Sequence, residues 1–258
     1  MVSLFLSEVK RSWIQFVRYP SEAITLTITF VAIFLGIFYG FQYMSGGASQ
    51  FGDRLDKIII SYLLWSLTLY ALTGMAWTIQ NEAQAGTLEQ VFLSPYGPIV
   101  VFMLRAFADL LVQLAVIVTA FTSIILITQR KDIDFTPLAI LPLITVMLAT
   151  YGLGYVMGGL TLIFKRIMNL IQLMQFVLLF LVMTPVEDWQ GNWRIVTHFL
   201  PMMPGAGMIR ALAINHAPFD PMQFAVSLAN GIAYFLLGAY LFHLAEKKAK
   251  MKGLLGGY

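Results

Sequence analysis

Cysteine is absent from this 258-residue sequence, and charged residues make up only 11% of it. Without cysteine the chain has no disulfide bond, no thiolate nucleophile and no cysteine-ligated metal. A soluble domain carries about 25% charged residues, so the low charge and the 59% hydrophobic content exclude an ordinary soluble protein. The formal net charge of +3 is small, and no basic patch points to nucleic acid. The composition therefore indicates an integral membrane protein with one membrane domain.

Motifs for catalysis and metal binding are also missing. The pattern Gly-x-x-x-x-Gly-Lys-Ser/Thr, which binds ATP phosphates, does not occur. His198, His216 and His243 lie far apart and lack the spacing of metal ligands. No nucleophile with a paired base is visible in the apolar runs, as a membrane-embedded enzyme would need. We therefore expect neither an enzyme nor a metal or cofactor bound by this chain.

Six long apolar runs dominate what is present. Each is long enough to cross about 30 Å of hydrocarbon, which takes about 20 residues. Residues 2–19 precede them and predict an amphipathic interfacial helix, with Phe5 and Trp13 on its apolar side and Lys10 and Arg11 on its polar side. The basic residues also argue against a cleavable signal peptide. The expected fold is all-α with six membrane spans, at 22–43, 58–80, 107–128, 137–164, 167–186 and 222–244.

The loops carry more basic residues on one side than on the other. This asymmetry favours cytoplasmic termini and a multi-pass location in the cell inner (plasma) membrane. The basic tail after Glu246 is expected to contact anionic lipid headgroups. The inner set is Lys10, Arg11, Arg18, Arg105, Lys165, Arg166, Lys247, Lys248, Lys250 and Lys252. The outer set is Arg54, Lys57, Arg130, Lys131, Arg194 and Arg210.

A polar island, residues 81–98, separates the second and third apolar runs. Glu82 and Glu89 would each cost about 2.5–3.5 kcal/mol in hydrocarbon, so the island lies at a membrane surface. The spacing of Thr87 and Gln90 is that of a capping box. The pattern predicts a short capped helix, with an ordinary surface loop as the alternative. Its start, apolar face and end are formed by Gly86, Leu88, Val91, Phe92, Ser94 and Pro95.

The order Glu82, Gly86-Thr87-Leu88-Glu89 and Leu93-Ser94-Pro95 resembles the cytoplasmic loop of the permeases of type-2 ATP-binding-cassette (ABC) exporters. The six-span layout, the basic N-terminal helix and the proline-rich segment before the last run are similar to that family too. By this resemblance the loop holds a coupling helix that contacts a separate cytoplasmic ATPase. The coupling residues it implies are Glu82, Gly86, Thr87, Leu88, Glu89, Gln90, Val91, Phe92, Ser94 and Pro95.

The same resemblance implies the rest of the assembly. Two permease copies, identical or different, would face each other in the membrane among lipids. Each would bind one ATPase, and ATP with Mg would be held by that partner rather than by this chain. The expected activity is export of an amphiphilic or apolar substrate, such as a lipid, glycolipid, polysaccharide or drug-like compound, from the cytoplasm or the inner leaflet.

The segment 186–221 is too apolar for a plain loop and is cut up by prolines. One or two short helices that dip into the outer leaflet are expected, with Trp189 and Trp193 in the outer aromatic belt. A surface loop with scattered apolar residues is the alternative. Pro201, Pro204 and Arg210 resemble the re-entrant segment of the same exporter family.

Polar residues inside the predicted spans are candidates for a substrate pathway. Asn169, Gln172 and Gln175 share one side of the fifth span and should face protein or a cavity. A second set, on one face of the second span, comprises Tyr62, Trp65, Ser66 and Thr73. Both sets suit a pathway, but helix packing is the favoured alternative for the first set and a dimer seam is the alternative for the second.

Asp109 lies about one turn into the third span, and Arg105 is four residues earlier on the same face. We expect the two to pair and to hold this span at the inner interface. A secondary transporter or channel is the alternative function, but ion coupling needs carboxylates near the midplane, and Asp109 lies too near the surface. Predicted close-packing glycines are Gly36 with Gly40, and Gly154 and Gly158 with Gly152 and Gly159.

Overall fold

A computed structural model describes residues 2–44, 52–129, 136–165, 167–184, 193–214 and 217–253. This part of the chain is almost entirely helical and contains no strand, which confirms an all-α protein. The helices are α1 (Val2–Arg18), α2 (Pro20–Met44), α3 (Gly52–Gln84), α4 (Leu88–Phe92), α5 (Pro98–Thr128), α6 (Ile140–Phe164), α7 (Met168–Met183), α8 (Trp193–Phe199), α9 (Met203–Ala213) and α10 (Pro221–Met251).

Five helices within the described ranges are long and apolar enough to cross a membrane: α2, α3, α5, α6 with the 3₁₀ turn before it, and α10. The sixth predicted span, 167–186, is a shorter apolar helix, α7, of 16 residues. At 1.5 Å per residue α7 is about 24 Å long, less than the hydrocarbon thickness of about 30 Å. Pro185 and the residues up to 192 lie outside the described residues. The membrane character is therefore confirmed, and the sixth span stays a prediction.

Three helices extend well beyond the apolar runs that predicted them. α3 has 33 residues, and α5 and α10 have 31 each, which gives lengths of about 46–50 Å. The residues added at 81–84 of α3 and at 245–251 of α10 are mostly polar or basic, whereas those added at 98–106 of α5 are apolar apart from Arg105. These three stretches lie next to α4, at what we call the α4 end of the molecule. α5 begins at Pro98, where the missing N–H of proline leaves no helix bond unmade.

α6 lies between α3 and α10, and glycine allows it to approach both closely. A Cβ on Gly152 would lie 2.2 Å from the carbonyl oxygen of Tyr234 in α10, and a Cβ on Gly238 would lie 1.9 Å from that of Gly152. On another face, a Cβ on Gly154 would lie 2.8 Å from the carbonyl oxygen of Ala71 in α3. Such backbone contact is how membrane helices associate without a hydrophobic driving force. The packing predicted for the α6 glycines is therefore confirmed.

The predicted packing site at Gly36 and Gly40 is not used inside the chain. A Cβ on either residue would meet nothing within 4 Å among the described atoms. α2 instead packs through Phe30, Phe34 and Phe38. Gly36 and Gly40 each follow one of these phenylalanines by two residues, which places them about 200° around the helix axis. The glycines thus lie on the side of α2 that faces away from the protein.

α8 and α9 confirm the two short helices predicted before the last span. The non-helical link between them is held by α10. Asn230 Nδ2 donates to the carbonyl oxygens of His198 and Leu200, at 2.9 and 3.1 Å, and the Tyr234 hydroxyl donates to that of Phe199, at 2.7 Å. These bonds lie about 14 to 20 Å along α10 from its first residue. His198 and Phe199 end α8, and Leu200 belongs to the link. Irregular backbone that is hydrogen-bonded to the protein in this way is compatible with membrane depth.

Arg210 fixes α9 to the rest of the bundle. Its side chain is 1% exposed. It donates to Ser61 Oγ of α3 at 3.1 Å and to the Val182 carbonyl oxygen of α7 at 2.9 Å. The predicted placement of α9 in the outer leaflet stays a prediction. Trp189, the side chain of Trp193, and His216 lie outside the described residues.

Candidate functional site

α4 is a helix of five residues held between the ends of α3 and α5. Gly86, at φ 69°, makes the left-handed turn that separates it from α3. Leu88 and Val91 point inward and join a cluster that includes Phe102 of α5 and Phe242 of α10. Leu88 is only 1% exposed. The apolar face predicted for α4 therefore packs against other helices of this chain and holds α4 in place.

The predicted capping box is not formed. Thr87 precedes α4, yet its side chain makes no capping hydrogen bond, and its backbone lies at φ −101°, ψ 0° rather than in the extended region of most N-caps. The Thr87 hydroxyl instead donates to the side chain of Glu82. The Gln90 side chain is exposed. The Thr87 hydroxyl thus donates to a nearby carboxylate, which the capping rule does not consider, and not to the backbone of α4.

The outward side of α4 and the turn after it form what we call the α4 outer surface, which presents both polar and apolar groups. Leu93 is 83% exposed, and Ser94 shapes the turn by accepting a hydrogen bond from the Tyr96 N–H at 3.4 Å. Phe92 does not belong to this surface, because the Lys250 ammonium of α10 lies 5.5 Å from its ring centroid. The surface comprises Glu89, Gln90, Leu93, Pro95 and Tyr96.

Arg105 of α5 links three other parts of the molecule to its own helix. Its Nε lies 2.9 Å from Glu8 Oε1 of α1, and its Nη1 pairs with Glu82 of α3. Glu82 in turn accepts from Thr87, next to α4. The three charged side chains are mostly buried, which strengthens their attraction and makes loss of one partner costly. We call Glu8, Glu82, Thr87 and Arg105 the Arg105 network.

The predicted pair of Arg105 with Asp109 is corrected by this geometry. Asp109 accepts from the Ser12 hydroxyl of α1 and lies 4.0 Å from Arg11 Nη2. Spacing along α5 suggested the pair, but Arg105 pairs with residues of α1 and α3, and Asp109 interacts with residues of α1. Sequence reasoning missed Glu8 and Ser12. Their contacts could have been suggested by their spacing of four residues, because Arg105 and Asp109 have the same spacing.

The most deeply buried residues of α1 are polar, although Phe5 also contacts Phe107 of α5, and several apolar residues stay uncovered. Glu8 and Ser12 are buried, whereas Leu6, Trp13 and Val17 are more than half exposed. A soluble helix shows the opposite pattern. The exposed apolar side agrees with an interfacial helix whose free face enters the headgroup region of a bilayer.

A polar pocket of about 200 Å³ lies between α1, α2 and α5. Glu22, Asp109 and Gln113 are among the residues that line it. On α5 the pocket extends from Asp109 to Gln113. Among the described residues, no group of three or more His, Asp or Glu is arranged to hold a metal ion.

The pathway candidates on α3 turn out to be packing residues. Tyr62, Trp65, Ser66 and Thr73 are all buried. The Tyr62 hydroxyl donates to the Phe30 carbonyl oxygen of α2 at 2.8 Å. Trp65 Nε1 donates to the Gln175 carbonyl oxygen of α7 at 3.2 Å. This face of α3 is a seam against α2 and α7, which corrects the pathway alternative for it.

The candidates on α7 behave differently. Asn169 and Gln172 are exposed, and Gln175 is partly buried. The exposed side of α7 also carries Leu173 and Phe176. Hydrocarbon offers no partner to an amide, so Gln172 needs protein or water from outside this chain. Packing within the chain does not explain these two residues.

No protein-family model matches the chain, and no curated protein matches it. The resemblance to exporter permeases therefore rests on the residues of the α3–α5 loop and on the helical layout.

Proposed function

We propose that this chain is the membrane subunit of an ATP-driven exporter of the type-2 ABC class, powered by a separate cytoplasmic ATPase. The observation that carries the proposal is the geometry of α4. The helix is anchored from within by Leu88 and Val91, while its other side offers an exposed leucine among polar groups. A short element that is rigid on one side and open on the other suits docking into a groove of a partner.

The contacts of α4 provide two routes from that docking point to the spans. Leu88 and Val91 touch the cluster shared by α3, α5, α6 and α10. The Arg105 network joins the turn before α4 to α1. A movement of α4 would therefore displace α3, α5 and the interfacial helix together. Coupling further requires that the ATPase hold α4 differently in its ATP-bound and ATP-free states.

We place the cargo route beside α7. The exposed amides of Asn169 and Gln172 support a surface that meets a second permease copy or a wet path for an amphiphilic cargo. Both termini would be cytoplasmic in the plasma membrane, and ATP and Mg would reside in the partner. The direction, outward from the cytoplasm or the inner leaflet, follows from the family resemblance.

Crosslinking through single cysteines tests the docking role, because the chain has no cysteine of its own. Leu93→Cys, on the α4 outer surface, should crosslink to an ATPase that co-purifies from native membranes in mild detergent. Leu138→Cys is the matched control, since it is a leucine that is 46% exposed at the opposite end of the spans. It should capture no ATPase.

Absence of an ATPase both from the purified protein and from the Leu93→Cys crosslinks would overturn the proposal. The secondary-transporter alternative would then be tested with Asp109→Asn. Loss of transport in that variant, with the fold retained, would favour an ion-coupled mechanism.

A further inference from the structure

The polar pocket between α1, α2 and α5, which we call the α1–α5 pocket, has a volume of about 200 Å³. A water molecule takes up about 30 Å³ in the liquid, so the pocket has room for a group of at least about six non-hydrogen atoms. A single metal ion would leave most of this volume unfilled. The residues used below include Phe16 of α1, Tyr19, Glu22 of α2, and Asp109 and Gln113 of α5.

Two carboxylates line the α1–α5 pocket, and little positive charge balances them. Asp109 Oδ1 accepts from the Ser12 hydroxyl and lies 4.0 Å from Arg11 Nη2. Arg11 lies closer to Glu8, with its Nε 3.1 Å from Glu8 Oε2. Glu22 forms no ion pair with any residue that the structure describes. The pocket therefore carries negative charge that would attract a cation.

Three side chains of the α1–α5 pocket retain oxygen atoms that can accept hydrogen bonds. Gln113 Nε2 donates to the Tyr70 hydroxyl at 2.6 Å, and Gln113 Oε1 has no partner among the described residues. Within the same ranges, Asp109 Oδ2 and the Glu22 carboxylate also accept no hydrogen bond. A primary ammonium has three N–H donors and no acceptor. Acceptors on Glu22, Asp109 and Gln113 suit that set of donors.

The rest of the lining suits the carbon part of an organic cation. Phe16 and Tyr19 contribute aromatic rings, and Leu26 and Val112 contribute aliphatic side chains. A ring face attracts an ammonium, and aliphatic side chains accommodate the methylene groups that carry it. Calcium and magnesium prefer a shell of oxygen ligands, which a lining of this mixed kind does not supply. The pocket therefore favours an organic ammonium over a metal ion.

A guanidinium lies beside the α1–α5 pocket. The Arg18 guanidinium carbon is 5.8 Å from the centroid of the Tyr19 ring, and Tyr19 lines the pocket. Arg18 ends α1, whose exposed apolar side agrees with a place at the membrane interface. Guanidinium groups bind phosphate well. A headgroup that carries an ammonium next to a phosphate would therefore meet a group of opposite charge for each of its own charges.

We propose that the α1–α5 pocket binds a primary ammonium group on a short organic stem, through Glu22, Asp109 and Gln113. The headgroup of phosphatidylethanolamine and a soluble alkylamine both carry this group. Arg18 favours the lipid, because a soluble alkylamine offers it no phosphate. The site does not depend on ATPase docking by α4.

The first experiment uses the whole protein in nanodiscs that contain equal amounts of phosphatidylethanolamine and phosphatidylcholine. Native mass spectrometry after transfer to mild detergent counts the lipids that stay bound. Phosphatidylethanolamine should be retained at least about fivefold over phosphatidylcholine, because the methyl groups of choline replace every N–H donor. Glu22→Gln should remove most of this preference without unfolding the protein, since Glu22 is exposed and unpaired among the described residues. Glu89→Gln, at an exposed glutamate of the α4 outer surface, is the matched control and should keep the preference.

The second experiment distinguishes the lipid from a soluble amine. Saturation-transfer NMR detects contact of butylamine with the protein in nanodiscs of phosphatidylcholine alone, with 1-butanol as the uncharged control. Arg18→Gln should reduce retention of phosphatidylethanolamine several-fold and leave butylamine contact unchanged, because only the lipid has a phosphate. A butylamine signal that Glu22→Gln abolishes, without any preference between the two lipids, would assign the pocket to a soluble amine.

Two results would overturn the proposal. In the first, both phospholipids are retained equally and butylamine gives no signal that depends on Glu22. In the second, the preference for phosphatidylethanolamine survives Glu22→Gln and Asp109→Asn together, which would locate the bound headgroup elsewhere on the protein. Thermal unfolding of each variant in detergent shows whether the fold is retained.

Discussion

Two short helices at the α4 end use opposite faces to attach to the bundle. The most deeply buried residues of α1 are polar, Glu8 and Ser12, and Trp13 is 53% exposed. α4 attaches through apolar residues, Leu88 and Val91, and exposes the polar side chains of Glu89 and Gln90 beside Leu93. In each helix the exposed face indicates which environment surrounds it. An apolar free face belongs in lipid, and a polar free face belongs in water or against a protein.

The two helices nevertheless share one connection. Arg105 contacts Glu8 of α1 and Glu82, whose carboxylate holds Thr87 beside α4. Two helices with different exposed faces are thus tied to the same guanidinium. Substitutions in this region should therefore differ widely in their effects on stability.

The inner and outer leucines of the α4 region should differ most. Leu88→Asp places a carboxylate in the buried cluster and should lower the free energy of unfolding by about 4 kcal/mol or more. Leu93→Asp changes an exposed side chain and should cost less than about 0.5 kcal/mol, while abolishing capture of the ATPase. Thermal unfolding in detergent measures the first effect. Equal destabilisation by both variants would show that α4 is not anchored as described.

Removing Arg105 should affect both helices at once. Arg105→Leu leaves Glu82 mostly buried without its cation, and leaves Glu8 with Arg11 alone, and should cost about 3 kcal/mol. Arg18→Leu, at the exposed end of α1, is the control and should cost less than about 1 kcal/mol. Replacing Glu8 and Glu82 by glutamine in the Arg105→Leu background should recover part of the loss. No recovery in the triple variant would mean that Arg105 acts through packing alone.

Thr87 and Gln90 distinguish the observed hydrogen bond from a capping box. Thr87→Val removes the bond to Glu82 and should cost about 1–2 kcal/mol. Gln90→Ala should cost less than about 0.5 kcal/mol, because its side chain is exposed and does not cap α4. Chemical denaturation in detergent compares the two. A large loss of unfolding free energy with Gln90→Ala would instead support a capping box.

The smallest effect on stability is expected at the lipid face of α1. Trp13→Ser should change unfolding in detergent by less than about 0.5 kcal/mol. In a bilayer, however, hydrogen exchange over Val2–Arg18 should accelerate several-fold, because the helix loses an interfacial anchor. Leu93→Ser is the matched change on α4 and should leave exchange over Leu88–Phe92 unaltered. Unchanged exchange with Trp13→Ser would argue against a lipid-facing α1.

Local patterns predicted the elements of the fold well. The amphipathic pattern over 2–19 gave α1, and the apolar runs located the long helices, although α5 and α10 extend well beyond their runs. Proline and glycine located the ends of α4 and the break between α8 and α9. These features depend on neighbours in sequence, which is why the sequence alone contains them.

The candidate site was predicted less fully. The position of α4 followed from the loop, but which of its faces is buried did not, because burial depends on Phe102 and Phe242 from other helices. The partners of Arg105 were missed for the same reason, since Glu8 lies 97 residues away along the chain. From the sequence, the polar and aromatic face of α3 suggested a pathway. In the structure its hydrogen bonds to α2 and α7 show that it lies in a seam between helices.

The unbroken course of α10 has a mechanical consequence. Near one end Lys250 lies over the ring of Phe92, and about 30 Å away, at 1.5 Å per residue, Asn230 holds the link between α8 and α9. Contact between the backbones of Gly152 and Gly238 joins this rod to α6 along its middle. A displacement of α4 would therefore tilt α10 as one unbroken helix. The tilt would move the link between α8 and α9 without a hinge between the two sites.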